Sequence, residues 1–267
     1  MIGLNTDSNS SFLQQIQQKQ ESILEKLASG KRINSASDGA AAQQIIDRLS
    51  TQVEGGRQSI SNAYDGIALS QVAESGLSGI NNDVNRIREL SVQAGNGVLS
   101  EGDRQAIQAE VKQLQENITD NIEQTDFAGK QLLTSDGNID FQVGANGEQK
   151  ITVATQDVAK GLSDILNVDL STASGAEDAL AAADKASVFV GEAQADLGAT
   201  QNGFERAARN LSQSDVNISA ARSRIQDTDF AQASADNVSS GILNQANIAV
   251  QVQANQQQGQ VLSLLNG

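Results

Sequence analysis

The sequence predicts a mainly α protein: a long-helix coiled-coil bundle with a small β-hairpin region, in which the terminal helices pair as a coiled coil. Three observations support this fold class. The 267 residues include no Pro, a residue that costs a helix interior about 3 kcal/mol. Apolar residues recur with a seven-residue period in both halves of the chain, as coiled coils require. Apolar and polar residues alternate with a period of two near the middle of the chain, which indicates β-strands.

The last long helix is predicted from a large apolar residue that returns every seventh position, with a small residue three places after it. Val190 and Ala193 begin this pattern. Small residues at the second position allow a partner helix to approach closely. The helix is expected from about Ser174 to Asp227, a length of roughly 80 Å. Its predicted seam consists of Val190, Leu197, Phe204, Leu211, Ile218 and Ile225.

Another long helix is predicted from about Ala40 to Gly95, because apolar residues in this stretch alternate at spacings of three and four. The run Gly95-Asn96-Gly97 breaks it. A shorter helix follows, and Ser100 with Asp103 forms a candidate capping box at its start. This shorter helix is expected to fold back antiparallel on its predecessor.

A β-hairpin is predicted between these helices, within a region from about 128 to 170. Ile139 and Phe141 alternate with polar residues, and so do Ile151 and Val153. The intervening run Ala145-Asn146-Gly147-Glu148 contains the Asn-Gly pair that is common in hairpin turns.

Both ends of the sequence carry apolar residues at coiled-coil spacing, and no charged residue follows Asp236. Two helices of this length bury little surface, so their pairing is marginal in water. Other copies of the chain are therefore expected to complete the burial. We predict a terminal coiled-coil domain from residues 1–44 and 229–267, and a long-helix bundle domain from residues 45–228. The predicted terminal assembly residues are Leu13, Ile16, Ile23, Leu27, Leu243, Val250, Val261 and Leu264.

The side-chain inventory excludes several kinds of site. The chain has no His and no Cys, which removes imidazole bases, thiol nucleophiles and thiolate metal sites. A net charge of -15 opposes binding to nucleic acid and to anionic membranes. No apolar run reaches membrane-spanning length, and no cleavable secretion signal is recognisable. A secreted hydrolase is disfavoured, since no Gly-x-Ser-x-Gly run is present. We expect no enzyme activity, catalytic residue, cofactor or metal.

Four stretches of the chain resemble the terminal regions of bacterial flagellin. They are LASGKRINSASDGAAAQQIIDRL at 27–49, NRIRELSVQAGNG at 85–97, ARSRIQDTDFAQ at 221–232 and QANQQQGQVLSLL at 253–265. The resemblance implies a subunit of the extracellular flagellar filament, which serves swimming or swarming. The terminal helices would line the inner tube, and the long-helix domain would form the outer tube. Because residues 167–174 join the hairpin region almost directly to the last helix, the chain is expected to be a short form without the variable outer domain.

The resemblance also implies partners. A flagellin is exported unfolded through the flagellar type III pathway, without a cleaved signal, and adds at the filament tip. An export chaperone, the filament cap and the hook-junction proteins are therefore expected partners, besides identical subunits. An alternative within the family is the hook-filament junction protein. An alternative outside it is an adhesin or free receptor ligand that acts as a monomer.

The segment NRIRELSVQ at 85–93 resembles the site through which flagellins are detected by Toll-like receptor 5. By position, the resemblance places Arg86, Leu90 and Gln93 on an exposed helix, with Glu110 on the adjacent one. The spacing of Arg86, Glu89, Leu90 and Gln93 puts them on one helix face, as a polar rim around an apolar anchor at Leu90. The alternative is that these side chains make axial contacts between subunits. The residues predicted for either role are Arg86, Arg88, Glu89, Leu90, Gln93 and Glu110.

Overall fold

The computed structural model describes residues 4–265, and the side chains of residues 11–257, 259 and 260. The chain is mainly helical, with short antiparallel strands in the middle. The elements in order are α1 (Leu4–Ser29), α2 (Ala36–Ala94), α3 (Glu101–Gln124), β1 (Asp126–Phe127), β2 (Lys130–Gln131), β3 (Gly137–Gln142), β4 (Lys150–Thr155), α4 (Val158–Gly161), α5 (Ser163–Leu166), α6 (Ala173–Gln226) and α7 (Phe230–Leu265).

The chain divides into two compact units. The terminal unit comprises residues 1–53 and 216–267, and the central unit comprises residues 54–215. The predicted division at 44/45 and 228/229 assigns residues to the inner and outer tube of a filament. A single chain does not test that assignment, so it stays a prediction.

The two long helices of the prediction are confirmed. Helix α6 begins and ends within one residue of the predicted bounds, and α2 ends at Ala94, directly before the Gly-Asn-Gly run. Near its start α2 is interrupted at Gly39, whose backbone is extended rather than helical. The uninterrupted part of α2 therefore starts next to the predicted boundary at Ala40.

The core of the central unit lies between α2, α3 and α6. Its α2 and α6 segments run antiparallel, because Arg57 pairs with Asp215 while Arg88 pairs with Asp184. On α6 the residues that face the core are largely Ala, which lets neighbouring elements approach closely. The fully buried larger side chains include Leu77, Ile80, Ile87, Val111, Ile118, Leu132, Leu162, Ile165, Leu170 and Phe204.

The predicted hairpin is formed by β3 and β4, with Ile139 opposite Val153 and Phe141 opposite Ile151. Sequence periodicity missed three smaller features. One is the two-residue turn at Ala128-Gly129, which joins β1 to β2 with positive φ at both residues. The others are α4 and α5, each of four residues. Elements this short contain too few residues to display a period.

In the terminal unit, α1 and α7 lie along each other, with many of their Cα atoms within 8 Å. The turn after α1 is paired with the turn before α7. The Thr228 amide donates to the Gly30 carbonyl at 3.0 Å, and the Arg32 amide donates to the Gln226 carbonyl at 2.5 Å. The Arg32 guanidinium caps the end of α6 by donating to the Ile225 carbonyl at 2.7 Å. The end of α1 is thus fixed to the beginning of α7, and the two helices run antiparallel.

Candidate functional site

A polar cluster joins α2 to α3 on the surface of the central unit. The Arg86 guanidinium donates to Glu110 Oε1 through Nη2 at 2.7 Å and Nε at 3.0 Å, and to Glu89 Oε2 through Nη1 at 3.0 Å. These bonds, first those to Glu110 and then those to Glu89, raise the pKa of Arg86. Gln93 is exposed on the same face of α2. The arrangement is a surface patch of fixed charges that could bind another protein.

Leu90 does not belong to this surface. It is only 2 % exposed and lies in the core of the central unit. The prediction that Leu90 is an exposed apolar anchor is therefore wrong. The reason is that α2 packs against more than one neighbouring helix, which buries a wider stripe than a two-helix seam does.

Arg88 is also separate from the cluster. Its Nε atom donates to Asp184 Oδ1 on α6 at 2.7 Å. Two positions along a helix correspond to a rotation of about 200°, so Arg88 lies on the flank of α2 away from Arg86. The six predicted residues therefore fall into three places: the Arg86 cluster with Gln93, the Arg88–Asp184 pair, and the core.

The predicted positions on α1 face α7. Ile16 and Ile23 are buried, and Leu13 and Leu27 are half-buried. Gln20 lies between them on the same seam and is half-buried as well. These residues follow the alternating three and four spacing of a coiled coil.

The predicted positions Leu243 and Val250 on α7 lie on an exposed flank, beside the face that pairs with α1. Leu243 is 50 % exposed and Val250 is 57 % exposed, whereas Ala233 and Ser240 are buried. Leu243 and Val250 were predicted as terminal assembly residues, a role that a single chain does not test, so it stays a prediction. Val261 and Leu264 lie in α7, but their side chains fall outside the described residues.

The sequence did contain a signal for the true pairing face of α7. Ala233, Asn237, Ser240, Asn244 and Asn247 alternate at spacings of four and three, which is the seam spacing of a coiled coil. These residues are small and polar, so a pattern of apolar residues does not include them. Their spacing alone indicates this face, whereas hydrophobicity indicates the exposed flank beside it.

The outward side of α7 is apolar and exposed. Val238 and Ile242 stand on consecutive turns, with Ala231 and Ala235 on the turns before them. Ile242 is 62 % exposed. These residues line a shallow open concavity together with Ser234, Ser239 and Leu243. A contiguous exposed apolar face of this kind marks a site of association.

The predicted seam of α6 passes through both units. Val190, Leu197 and Phe204 are buried in the core of the central unit. Leu211 is half-buried, and so are Ile218 and Ile225 in the terminal unit.

Among the described residues no group of three or more His, Cys, Asp or Glu residues is placed to hold a metal ion. Within the same residues, no helix combines the length and the apolar character needed to cross a membrane.

Comparison with known protein families shows which family the chain belongs to. Residues 4–137 match the family described as "Bacterial flagellin N-terminal helical region". Residues 180–265 match "Bacterial flagellin C-terminal helical region". The chain belongs to the flagellin family. Flagellins are structural proteins that polymerise into the extracellular bacterial filament, and they are not enzymes.

Curated relatives agree with this flagellin over nearly their whole length. The "Flagellar filament 30.7 kDa core protein" of Treponema maltophilum is 36% identical, and the match covers 100% of this chain and 95% of the relative. The "Flagellin" of Bacillus subtilis is 36% identical, with 91% of each chain covered. The length of 267 residues fits a short form of flagellin.

Solved structures show the same fold. The crystal structure of Bacillus cereus flagellin aligns with a TM-score of 0.53 and 23% identity, covering 61% of this chain and 94% of that one. A putative flagellar hook-associated protein from Vibrio parahaemolyticus aligns with a TM-score of 0.63 and 16% identity, covering 71% and 100%. The fold is therefore shared by filament and hook-associated proteins and does not separate them. The sequence relatives favour the filament.

Proposed function

We propose that this flagellin builds a motile filament by burying the outward side of α7 against neighbouring subunits. The observation that carries the proposal is the exposure of Val238, Ile242, Leu243 and Val250 on a helix without charged residues after Asp236. Burying such side chains releases about 25 cal/mol per Å² of apolar surface. A carboxylate or ammonium group in the same place would carry a desolvation cost.

The experiment compares two substitutions at one exposed position of α7. Ile242→Glu places a charge on the outward apolar face, while Ile242→Val keeps the same position apolar. We expect Ile242→Glu to remove sedimentable fibres and to leave the helical circular dichroism of the monomer unchanged. Ile242→Val should still polymerise. Fibres formed by Ile242→Glu at wild-type yield would refute the proposal.

Within the filament, we propose that the terminal unit lies at the inner wall and the central unit at the outer wall. The same family membership supports export through the flagellar pathway and assembly with a chaperone, the filament cap and the hook-junction proteins. Deletion of residues 237–267 is expected to leave soluble helical subunits that do not polymerise. The hook-filament junction role is less supported, because the relatives at 36% identity carry filament names.

We further propose that the Arg86 cluster either makes axial contacts between subunits or contacts Toll-like receptor 5. Its charges are exposed and held in place by Glu110 and Glu89, so they need no rearrangement to meet a partner. Arg86→Ala can distinguish the roles, with Arg88→Ala as the control on the other flank. Loss of fibres with retained receptor activation by the monomer indicates axial contact. Loss of receptor activation with normal fibres indicates the receptor site. An unchanged result in both assays excludes both roles for Arg86.

A further inference from the structure

Asparagine followed by glycine occurs three times in the part of the chain whose side chains are described, at Asn96, Asn146 and Asn202. Asparagine is a thermolabile residue. A following glycine makes it more so, because glycine has no side chain to keep its amide nitrogen away from the asparagine side chain. All three asparagines are exposed, so their local contacts decide which of them reacts.

The pair at Asn202 is fixed by helix α6. Gly203 lies inside α6, where its amide belongs to the helix hydrogen-bond ladder. The Nδ2 atom of Asn202 donates to the Gly198 carbonyl at 2.9 Å. This part of the helix must open before the side chain of Asn202 can meet the amide of Gly203.

Asn96 is held in the loop after α2. Its Oδ1 atom accepts the Val98 amide at 3.2 Å. Its backbone carbonyl accepts the Leu99 amide at 3.1 Å and Nη2 of Arg104 at 3.2 Å. These bonds keep the side chain and the backbone in one arrangement, so a rotation that brings them together for reaction costs hydrogen bonds.

Asn146 lacks these constraints. It lies in the turn between β3 and β4, and in the described part of the chain neither its side chain nor the Gly147 amide takes part in a hydrogen bond. A β-carbon on Gly147 would meet no heavy atom within 4 Å apart from its chain neighbours. The space around the Gly147 nitrogen is therefore open, and the Asn146 side chain is free to rotate onto it.

We propose that Asn146 is a site of spontaneous deamidation, which converts it to aspartate and isoaspartate. The Gly147 nitrogen attacks Cγ of Asn146 and closes a succinimide ring, while Nδ2 leaves as ammonia with the proton of the attacking nitrogen. Water then opens the ring. Cleavage between the nitrogen and Cγ gives aspartate, and cleavage between the nitrogen and the backbone carbonyl carbon gives isoaspartate. The reaction consumes only water, so it proceeds in an extracellular protein without an enzyme.

The two products differ in their effect on the hairpin. The Asn146 carbonyl accepts the Gln149 amide at 3.1 Å and also Nε2 of Gln142. Aspartate leaves this carbonyl in place, whereas isoaspartate inserts an extra carbon into the backbone and displaces it. Either product adds a negative charge to a chain whose net charge is -15, so anion exchange separates the modified chains from the unmodified ones.

The test incubates the full chain as a monomer at neutral pH and physiological temperature for several weeks. Peptide mass spectrometry measures the loss of amide at each asparagine, and enzymatic methylation detects isoaspartate. We expect Asn146 to react at least about tenfold faster than Asn202, which needs local opening, and faster than Asn96. Both isomers should form at Asn146. A smaller ratio to Asn202 or a faster reaction at Asn96 would overturn the proposal. So would aspartate without isoaspartate, since direct hydrolysis of the amide gives aspartate alone.

Gly147→Ala tests the role of the attacking nitrogen. Gly147 is not among the described glycines with positive φ, and a methyl group there has open space, so the circular dichroism should match that of the wild type. We expect deamidation of Asn146 to slow by roughly tenfold, because the methyl group shields the nitrogen. Gly97→Ala is the matched control and should leave the rate at Asn146 unchanged. An unchanged rate in Gly147→Ala, or equal slowing in both variants, would contradict the proposal.

Discussion

A β-carbon on Gly66 of α2 would lie 2.6 Å from Cε1 of Phe204 on α6. Phe204 is fully buried, and its ring meets Phe141 edge to face, with centroids 5.4 Å apart and planes at 88°. The ring is therefore held by the hairpin on one side and by the glycine on the other. This contact joins α2, α6 and β3 in the core of the central unit.

Gly66→Ala is expected to destabilise the protein, since the ring of Phe204 cannot move aside. Overpacking of this kind costs about 1–3 kcal/mol, which urea unfolding would measure. Gly56→Ala on the same helix is the control, because a β-carbon there meets no heavy atom within 4 Å in the described chain. That control should stabilise the helix by about 0.5–1 kcal/mol. Equal effects of the two substitutions would contradict the role of the Phe204 contact.

Replacement of Ala128 by glycine is expected to stabilise the protein. Ala128, with a φ of 52°, and Gly129, with a φ of 79°, form the tight turn between β1 and β2. An L-residue in this region carries a cost of about 1 kcal/mol, so Ala128→Gly should raise the free energy of unfolding by up to about that amount. The same substitution at Ala109, on the exposed side of α3, should lower it by about 1 kcal/mol. Opposite signs in urea unfolding would establish that backbone conformation causes the gain.

Sequence periodicity predicted the parts of this protein whose burial follows from one repeating pattern. The seam residue Val190 and the strand residue Ile139 are examples. It failed where burial depends on which neighbours a helix has. Leu90 is buried because α2 packs on several sides, and the pairing face of α7 was not predicted because it carries small polar residues such as Ser240. The turn at Ala128 involves too few residues to show any period.

Gly30 is expected to be required for the connection between α1 and α2. Its φ is 68°, and its carbonyl accepts the Thr228 amide that fixes the start of α7. Gly30→Ala should cost about 1 kcal/mol of local stability and speed hydrogen exchange in the last turn of α1. Gly97→Ala is the control, since Gly97 is not among the described residues with positive φ. Equal exchange in both variants would contradict a requirement for glycine at position 30.

Ser100 is expected to stabilise the start of α3 through the predicted capping box. Its Oγ atom accepts the Asp103 amide at 3.3 Å, and its own amide donates to Asp103 Oδ2 at 3.0 Å. Ser100→Ala should cost about 1 kcal/mol in urea unfolding. Ser78→Ala, at an exposed position inside α2, should change stability by less than about 0.5 kcal/mol. A cost at Ser100 no larger than at Ser78 would show that the box contributes nothing.

The Asp103 carboxylate of this capping box is expected to cause part of the protein's loss of stability at low pH. The hydroxyl and then the amide of Ser100 hold the pKa of Asp103 below its ordinary value of 3.8. A lowered pKa in the folded state means that this stabilisation is complete above pH 3.8 and is lost as pH falls through the folded pKa. Asp83 on α2 behaves oppositely, because burial raises its pKa.

Carboxyl carbon NMR titration should therefore find Asp103 titrating below 3.8 and Asp83 above it. In Ser100→Ala the Asp103 midpoint should rise toward 3.8, since the hydroxyl donor is gone. An Asp103 midpoint that does not respond to this substitution would contradict the assignment of the Ser100 hydroxyl as the main cause.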